Sequence, residues 1–223
     1  MANRLPRSRT LKGDPKLVYY EKGDGRPGET PLVRVHGATL RSEDWENIHP
    51  RRATRYRVIA YDQRGHGKSG RAADYSLASL ADDLLRVLRE LAKVPAIVIA
   101  HSLGGAAAVV AAAREPGLVR GLVLEDPYLR AYGTGWRDAD WKEAQARAAL
   151  DEVTHSTPAA LWAKDYHSLW LNSAALERAG GDLEVHGGVV ERDEHGTPTG
   201  ILREESAWRF RDRFVTVSED DWV

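Results

Sequence analysis

Apolar positions between residues 17 and 127 fall into short runs, each broken by glycine, proline or charge. Leu17-Val-Tyr-Tyr20, Leu32-Val-Arg-Val35 and Arg57-Val-Ile-Ala-Tyr61 are strand-sized, and the last two stop at His36-Gly37 and at Asp62. From Leu77 to about Ala92 the period lengthens. Leu77, Leu80, Leu84, Leu85 and Leu88 share one face at helical spacing, with Ser76 placed to cap the helix. Ala96-Ile-Val-Ile-Ala100 is a continuous apolar run of the kind buried on both faces of a parallel sheet. An Ala/Val-rich helix comes next, runs to Arg114 and stops at Pro116-Gly117. Val119-Arg-Gly-Leu-Val-Leu124 is the next strand, ending at Glu125-Asp126-Pro127. Strands alternating with helices across short turns predict an α/β fold with a parallel, doubly wound sheet.

The pattern changes after Pro127. A charged, Ala-rich helix is predicted from Trp136 to about Val153. The remainder carries four of the seven tryptophans and glycine turns at Gly187-Gly188 and Gly196 to Gly200, with no run of the Ala96 to Ala100 type. The expected organisation is a loose lead-in over 1–16, an incomplete α/β domain over 17–150, and an α+β fragment over 151–223.

Charge narrows the functional classes. With 32 Lys+Arg against 33 Asp+Glu the net charge is −1, which argues against nucleic acid or a membrane surface as partner. The basic residues Arg4, Arg7, Arg9 and Lys12 read as a solvated tail. There is no cysteine, which excludes disulfides and thiolate metal sites. No apolar run in the first twenty residues forms a signal-peptide core, and the longest apolar region, Gly104 to Ala113, is too short to span a bilayer. The expected setting is the cytoplasm.

The chemistry concentrates at Ala100-His-Ser102-Leu-Gly104, between a buried strand and a small-residue helix. A tight strand-to-helix turn needs small residues on either side of the serine. It lifts the hydroxyl above the sheet at a helix N-terminus, where the N–H of Leu103 can stabilise negative charge. His36-Gly37-Ala38 ends an upstream strand and offers the Ala38 N–H as a second donor. Gly67-Lys68-Ser69 is not a phosphate loop, because Asp62 stands where that loop needs glycine. His66, in the same turn, reads as structural rather than as a catalytic base.

In order and spacing, "YYEKGDG…PLVRVHG…YRVIAYDQRGHGKS…IVIAHSLGG…VRGLVLEDP" resembles the N-terminal half of an α/β-hydrolase, of the branch holding esterases, lactonases, cofactor-free haloperoxidases and epoxide hydrolases. The resemblance implies a partial α/β-hydrolase parallel sheet with flanking helices. It makes Ser102 the nucleophile, Ala38 and Leu103 the oxyanion donors, and a small-molecule ester the substrate, with no cofactor. Serine rather than aspartate at 102 points to the ester-cleaving members. Asp126, at the end of the Val119 strand, is either the acid of the triad or a turn residue before Pro127. The base is unassigned: His155, His167, His186 and His195 lie downstream, and none comes after a buried apolar strand.

Residues 158 to 214 resemble an internal stretch of a metal-dependent amidohydrolase related to N-substituted formamide deformylases. The resemblance runs through Asp165-x-His167, Asn172-Ser173-x-Ala175-Leu176 and Gly196-x-Pro198-x-Gly200. That family needs a His-x-His pair, which this chain lacks, so no metal is expected. Two readings remain: a serine hydrolase acting through an acyl-enzyme, or a catalytically silent chimeric or truncated fusion. An incomplete sheet would leave an edge favouring homo-oligomers.

Overall fold

The computed structural model describes residues 6–23, 29–45, 56–127, 146–162, 167–180 and 183–215. The predicted helix from Trp136 falls mostly outside them; its described part is Ala146–Thr154.

Among the described residues ten strands form one sheet: β1 (Arg9–Leu11), β2 (Leu17–Lys22), β3 (Leu32–Val35), β4 (Val58–Tyr61), β5 (Ala96–His101), β6 (Val119–Glu125), β7 (Ala159–Trp162), β8 (Ser168–Leu171), β9 (Gly188–Arg192) and β10 (Pro198–Glu204). Their order is β1-β2-β4-β3-β5-β6-β7-β8-β10-β9. The centre, β4-β3-β5-β6-β7, is parallel, while β1 and β2 on one side and β8, β10 and β9 on the other are antiparallel additions. Described helices are α1 (Leu77–Val87), α2 (Leu103–Arg114), α3 (Ala146–Thr154), α4 (Ser173–Ala179) and α5 (Glu205–Phe210).

Alternation along the central strands sends successive residues to opposite faces. Val98, Ala100, Leu122, Leu124 and Leu161 join one core with Leu84 and Leu88 of the first helical segment and Ala108 and Ala112 of α2. Ile99 and Val123, from the same strands, pack instead with Leu32, Trp45 and Val58 on the other face. A third cluster gathers Ala160, Trp162, Leu169 and Leu171 with Ala175 of α4 and Phe210 of α5. The Ser76 hydroxyl caps α1 by accepting from the Ser79 N–H at 3.3 Å, and the apolar face read from the leucine spacing buries Leu80, Leu84 and Leu88. Each such leucine contributes roughly 1.5–3 kcal/mol on leaving water.

One expectation is corrected. A buried parallel strand does recur after residue 127: β7 is buried along its whole length and pairs Leu122 with Ala159 through Glu125 with Trp162. It escaped notice because it is four residues long, opens with two alanines after a proline, and lacks β-branched side chains. Its ladder begins before it formally starts, since the Pro158 carbonyl accepts from the Leu122 N–H at 2.9 Å. The sheet is continuous across residues 145–155, where the composition changes.

Buried Asn172 ties β7 to α3 and α4. Its side-chain oxygen accepts from the N–H of Ala159 and of Ala175, both at 2.9 Å, and its amide nitrogen donates at 2.8 Å to the Thr157 carbonyl and the Thr154 hydroxyl. One side chain therefore caps α4 and fixes the start of a strand.

Candidate active site

The carboxyl ends of the parallel strands form one edge of the sheet, the edge where open α/β sheets bind ligands. Ser102 sits there between β5 and α2 with φ +49° and ψ −116°. A non-glycine residue at positive φ is strained, and strain of this kind persists where the surroundings over-determine it. They do so here. The Ser102 N–H donates to the Glu125 carbonyl at 3.0 Å, and its carbonyl accepts from the Ala106 N–H at 3.2 Å. A Cβ on Gly104 would lie 2.5 Å from the His36 carbonyl oxygen, so α2 enters directly against the end of β3. Ser102 is half-buried, and among the described residues no side chain hydrogen-bonds its hydroxyl.

The loop after β3 lies beside it: a Cβ on Gly37 would come 3.2 Å from Ser102 Cβ and 2.6 Å from His101 Nδ1. Among the described residues, the N–H groups of Ala38 and Leu103 meet no acceptor. The loop's carbonyls are taken. Gln63 Nε2 donates to the His36 oxygen at 2.6 Å, His36 Nδ1 to the Gly37 oxygen at 2.8 Å, and His66 Nε2 to the Ala38 oxygen. Asp62, buried at the end of β4, accepts from the Ser42 N–H at 2.9 Å and the Lys68 N–H at 2.8 Å, holding the Asp62 to Ser69 turn in shape.

His36 is neutral by construction. Its Nε2 accepts from the Gln63 N–H at 2.9 Å, so the single ring proton sits on Nδ1. Burial pushes its pKa down from 6.5 to about 4. Between those values the unfolded chain takes up a proton that the folded protein refuses. Stability from this group is therefore complete above about pH 6.5 and falls by about 3 kcal/mol as pH drops to about 4. Urea unfolding at pH 7 and at about pH 4.5 checks this. His36→Asn, which cannot titrate, should lose less stability over that interval than the native sequence.

Asp126 comes directly after β6 in a left-handed bend, φ +44°, and is exposed. It stands one strand from Ser102, and among the described residues no imidazole bonds its carboxylate. The downstream histidines divide by strand direction. His155 precedes β7 and His195 lies in the β9–β10 turn, so both are at the amino-terminal edge, away from Ser102. His167 opens β8 and His186 precedes β9, at the same edge as Ser102. At about 4.8 Å per strand they stand roughly 14 and 24 Å from β5. His167 is occupied locally, its Nδ1 2.9 Å from Glu204 Oε2 and its ring against Trp208. None of the four reaches Ser102.

The family model for the alpha/beta hydrolase fold matches residues 30–214. The chain belongs to the α/β-hydrolase family. It is 35% identical over 177 residues to 2-(acetamidomethylene)succinate hydrolase of Mesorhizobium japonicum, covering 78% of this chain and 60% of that one. It is 32% identical over 176 residues to the pimeloyl-[acyl-carrier protein] methyl ester esterase of Chromobacterium violaceum, covering 78% and 65%. The solved structure of E-2-(acetamidomethylene)succinate hydrolase superposes with a TM-score of 0.50 at 33% identity, over 66% of this chain and 51% of that one. The chain thus spans under two thirds of the length of these relatives. Its match continues through the residues that resemble an amidohydrolase. Among the described residues of this α/β-hydrolase, no three His, Cys, Asp or Glu side chains form a metal-ligand group, and no helix is long and apolar enough to cross a membrane.

Two contributors to this site are not legible in the sequence. Gln63 and the ring of His36 look ordinary in a string of turn residues. The available signal was position: a run of polar side chains directly after a buried strand, at the edge that carries Ser102.

Proposed function

We propose that this chain is a serine hydrolase that cleaves small carboxylic esters through an acyl-enzyme on Ser102. The observation that carries the reading is the strained Ser102 backbone at the N-terminus of α2, next to two N–H groups that meet no acceptor among the described residues. Ser102 Oγ attacks the ester carbonyl carbon as its proton passes to solvent water. The carbonyl oxygen gains negative charge, which the N–H groups of Ala38 and Leu103 stabilise together with the helix dipole. The C–O bond to the alcohol then breaks, the alcohol leaves carrying a proton, and water releases the acid from Ser102. On this reading Asp126, directly after β6 and one strand from Ser102, is the orienting acid. The relatives act on 2-(acetamidomethylene)succinate and on a methyl ester, which supports carboxyl-derivative hydrolysis as the reaction class.

The test is labelling by a fluorophosphonate probe together with p-nitrophenyl butyrate turnover, native against Ser102→Ala. The native chain should label at one site and turn over ester. An oxyanion hole and binding alone retain roughly 10³-fold acceleration over water without any nucleophile, so native turnover should stand above that residual and Ser102→Ala should fall to it. Equal rates for the two chains would end the reading.

One observation favours a second reading, that the chain is a catalytically silent fusion or truncation product. No described imidazole lies within hydrogen-bond reach of Ser102. On that reading residues 158 to 214 derive from an amidohydrolase, and copies associate through a sheet edge. It expects no labelling at Ser102.

A further inference from the structure

Both oxyanion donors read for this site, Ala38 and Leu103, are peptide N–H groups, so whatever holds their planes decides whether the site exists. In a trans peptide the N–H of Ala38 points opposite to the carbonyl of Gly37. That carbonyl is gripped twice, by His36 Nδ1–H at 2.8 Å and by the Leu40 N–H at 3.2 Å. The grip depends on the tautomer of His36. The Gln63 N–H at Nε2 leaves the ring proton on Nδ1 and nowhere else. On either side of this plane, Gln63 Nε2 fixes the His36 carbonyl at 2.6 Å, and His66 Nε2 fixes the Ala38 carbonyl. Three consecutive carbonyls are thus held, two of them by side chains of the segment after β4.

We propose that Gln63 and His66 are positioning residues of the hydrolase site, acting through His36 and the loop carbonyls to keep the Ala38 N–H turned towards Ser102. Its chemistry rests on the serine-hydrolase reading of Ser102. Loss of either hold frees a plane next to Gly37–Ala38 and lets that plane tilt against its two remaining bonds, weakening one donor to the developing oxyanion without touching the nucleophile.

His66 is half-buried and outside the apolar core, which makes it the residue to substitute. His66→Ala removes the donor, whereas His66→Gln keeps an amide N–H close to the position of Nε2. Labelling with ¹³C-carbonyl glycine and ¹⁵N-alanine gives two linked amide signals, Gly37–Ala38 and Gly105–Ala106, because Gly-Ala occurs at those places in the sequence. In His66→Ala the Gly37–Ala38 signal should split or broaden while the Gly105–Ala106 signal stays put. Fluorophosphonate labelling of Ser102 should slow by about 10²–10³-fold, the cost of one lost oxyanion donor. His66→Gln should restore a single signal and most of the rate. Gln63→Ala, which frees the His36 carbonyl and keeps the backbone N–H at His36 Nε2, should shift the Gly37–Ala38 signal in the same direction. A Gly37–Ala38 signal indifferent to both alanine substitutions overturns the proposal, as does one that moves while labelling keeps its native rate. A native chain that never labels, with the signal still responding to the alanine substitutions, retires the nucleophile and leaves the hold on the plane standing.

Discussion

Gly104→Ala is expected to lower both stability and the reactivity of Ser102. The added Cβ would sit 2.5 Å from the His36 carbonyl oxygen, 2.7 Å from that of Val35 and 2.8 Å from Val35 Cγ1. Two of those three atoms are backbone, in or just after β3, which is hydrogen-bonded to a strand on each side. The neighbour cannot give, so α2 must back away or the loop after β3 must move. Overpacking of this kind costs about 1–3 kcal/mol, and rigid backbone neighbours put it at the upper end. The functional loss comes from the same displacement. The His36 carbonyl is bonded to Gln63, and moving it disturbs the planes beside Ser102. A shift of about 1 Å at a reacting centre costs roughly 10²-fold in rate. Urea midpoints and fluorophosphonate labelling rates measure the two effects separately. Gly117→Ala is the control: a Cβ there meets nothing within 4 Å, and its stability should stay within about 0.5 kcal/mol of native. Native behaviour from Gly104→Ala would mean that α2 approaches β3 more loosely than these distances require.

Why Gly104 could be singled out from sequence, and Gln63 could not, comes down to range. The turn at Ser102 is local. A buried apolar strand, a serine between small residues and an alanine-rich helix are contiguous, and their order alone predicts the bend. Ser76 was legible for the same reason, since a cap and its helix share one stretch of chain. Gln63 acts on residues 27 positions earlier, across two strands that are neighbours in the sheet and not in the sequence. Nothing in a string of turn residues reports that pairing. β7 was missed because its burial is conferred by β6 beside it and by Asn172 from beyond β8, not by its own four residues. In the sequence Asn172 carries only a resemblance, while its work in the fold is to cap α4 and start β7. The base could not be read for a firmer reason. Every downstream histidine that the structure describes lies either on the far edge or several strands from Ser102.

Asp83→Ala should be the most destabilising single change in the turn-and-helix layer beside the site. Arg64, in the segment after β4, donates through Nε to Asp83 Oδ2 at 2.7 Å, with the two side chains only 9% and 3% exposed. The guanidinium also donates through NH1 to the Asp74 carbonyl at 2.8 Å, and Arg86 approaches the same carboxylate at 3.8 Å. The hydrogen bond that Arg64 donates to Asp83 pushes the Arg64 pKa up, so the cation stays charged at any accessible pH. Removing the carboxylate strands that charge between α1 and the Asp62 to Ser69 turn. Breaking a buried pair from one side costs about 3–5 kcal/mol, mostly because the remaining ion has lost its compensation. The chemical origin can be separated from packing. Arg64→Met combined with Asp83→Leu removes both charges and fills the space, and should recover much of the loss. Asp82, one residue earlier on the same helix, pairs with Arg114 at the surface with side chains 64% and 42% exposed. Asp82→Ala should therefore change stability by less than about 1 kcal/mol. Denaturant unfolding of the three variants at neutral pH gives the comparison. If Asp83→Ala proves as mild as Asp82→Ala, the pair is not what holds the turn against α1, and the loop that carries Gln63 and His66 must draw its rigidity from Asp62 and from its own backbone bonds.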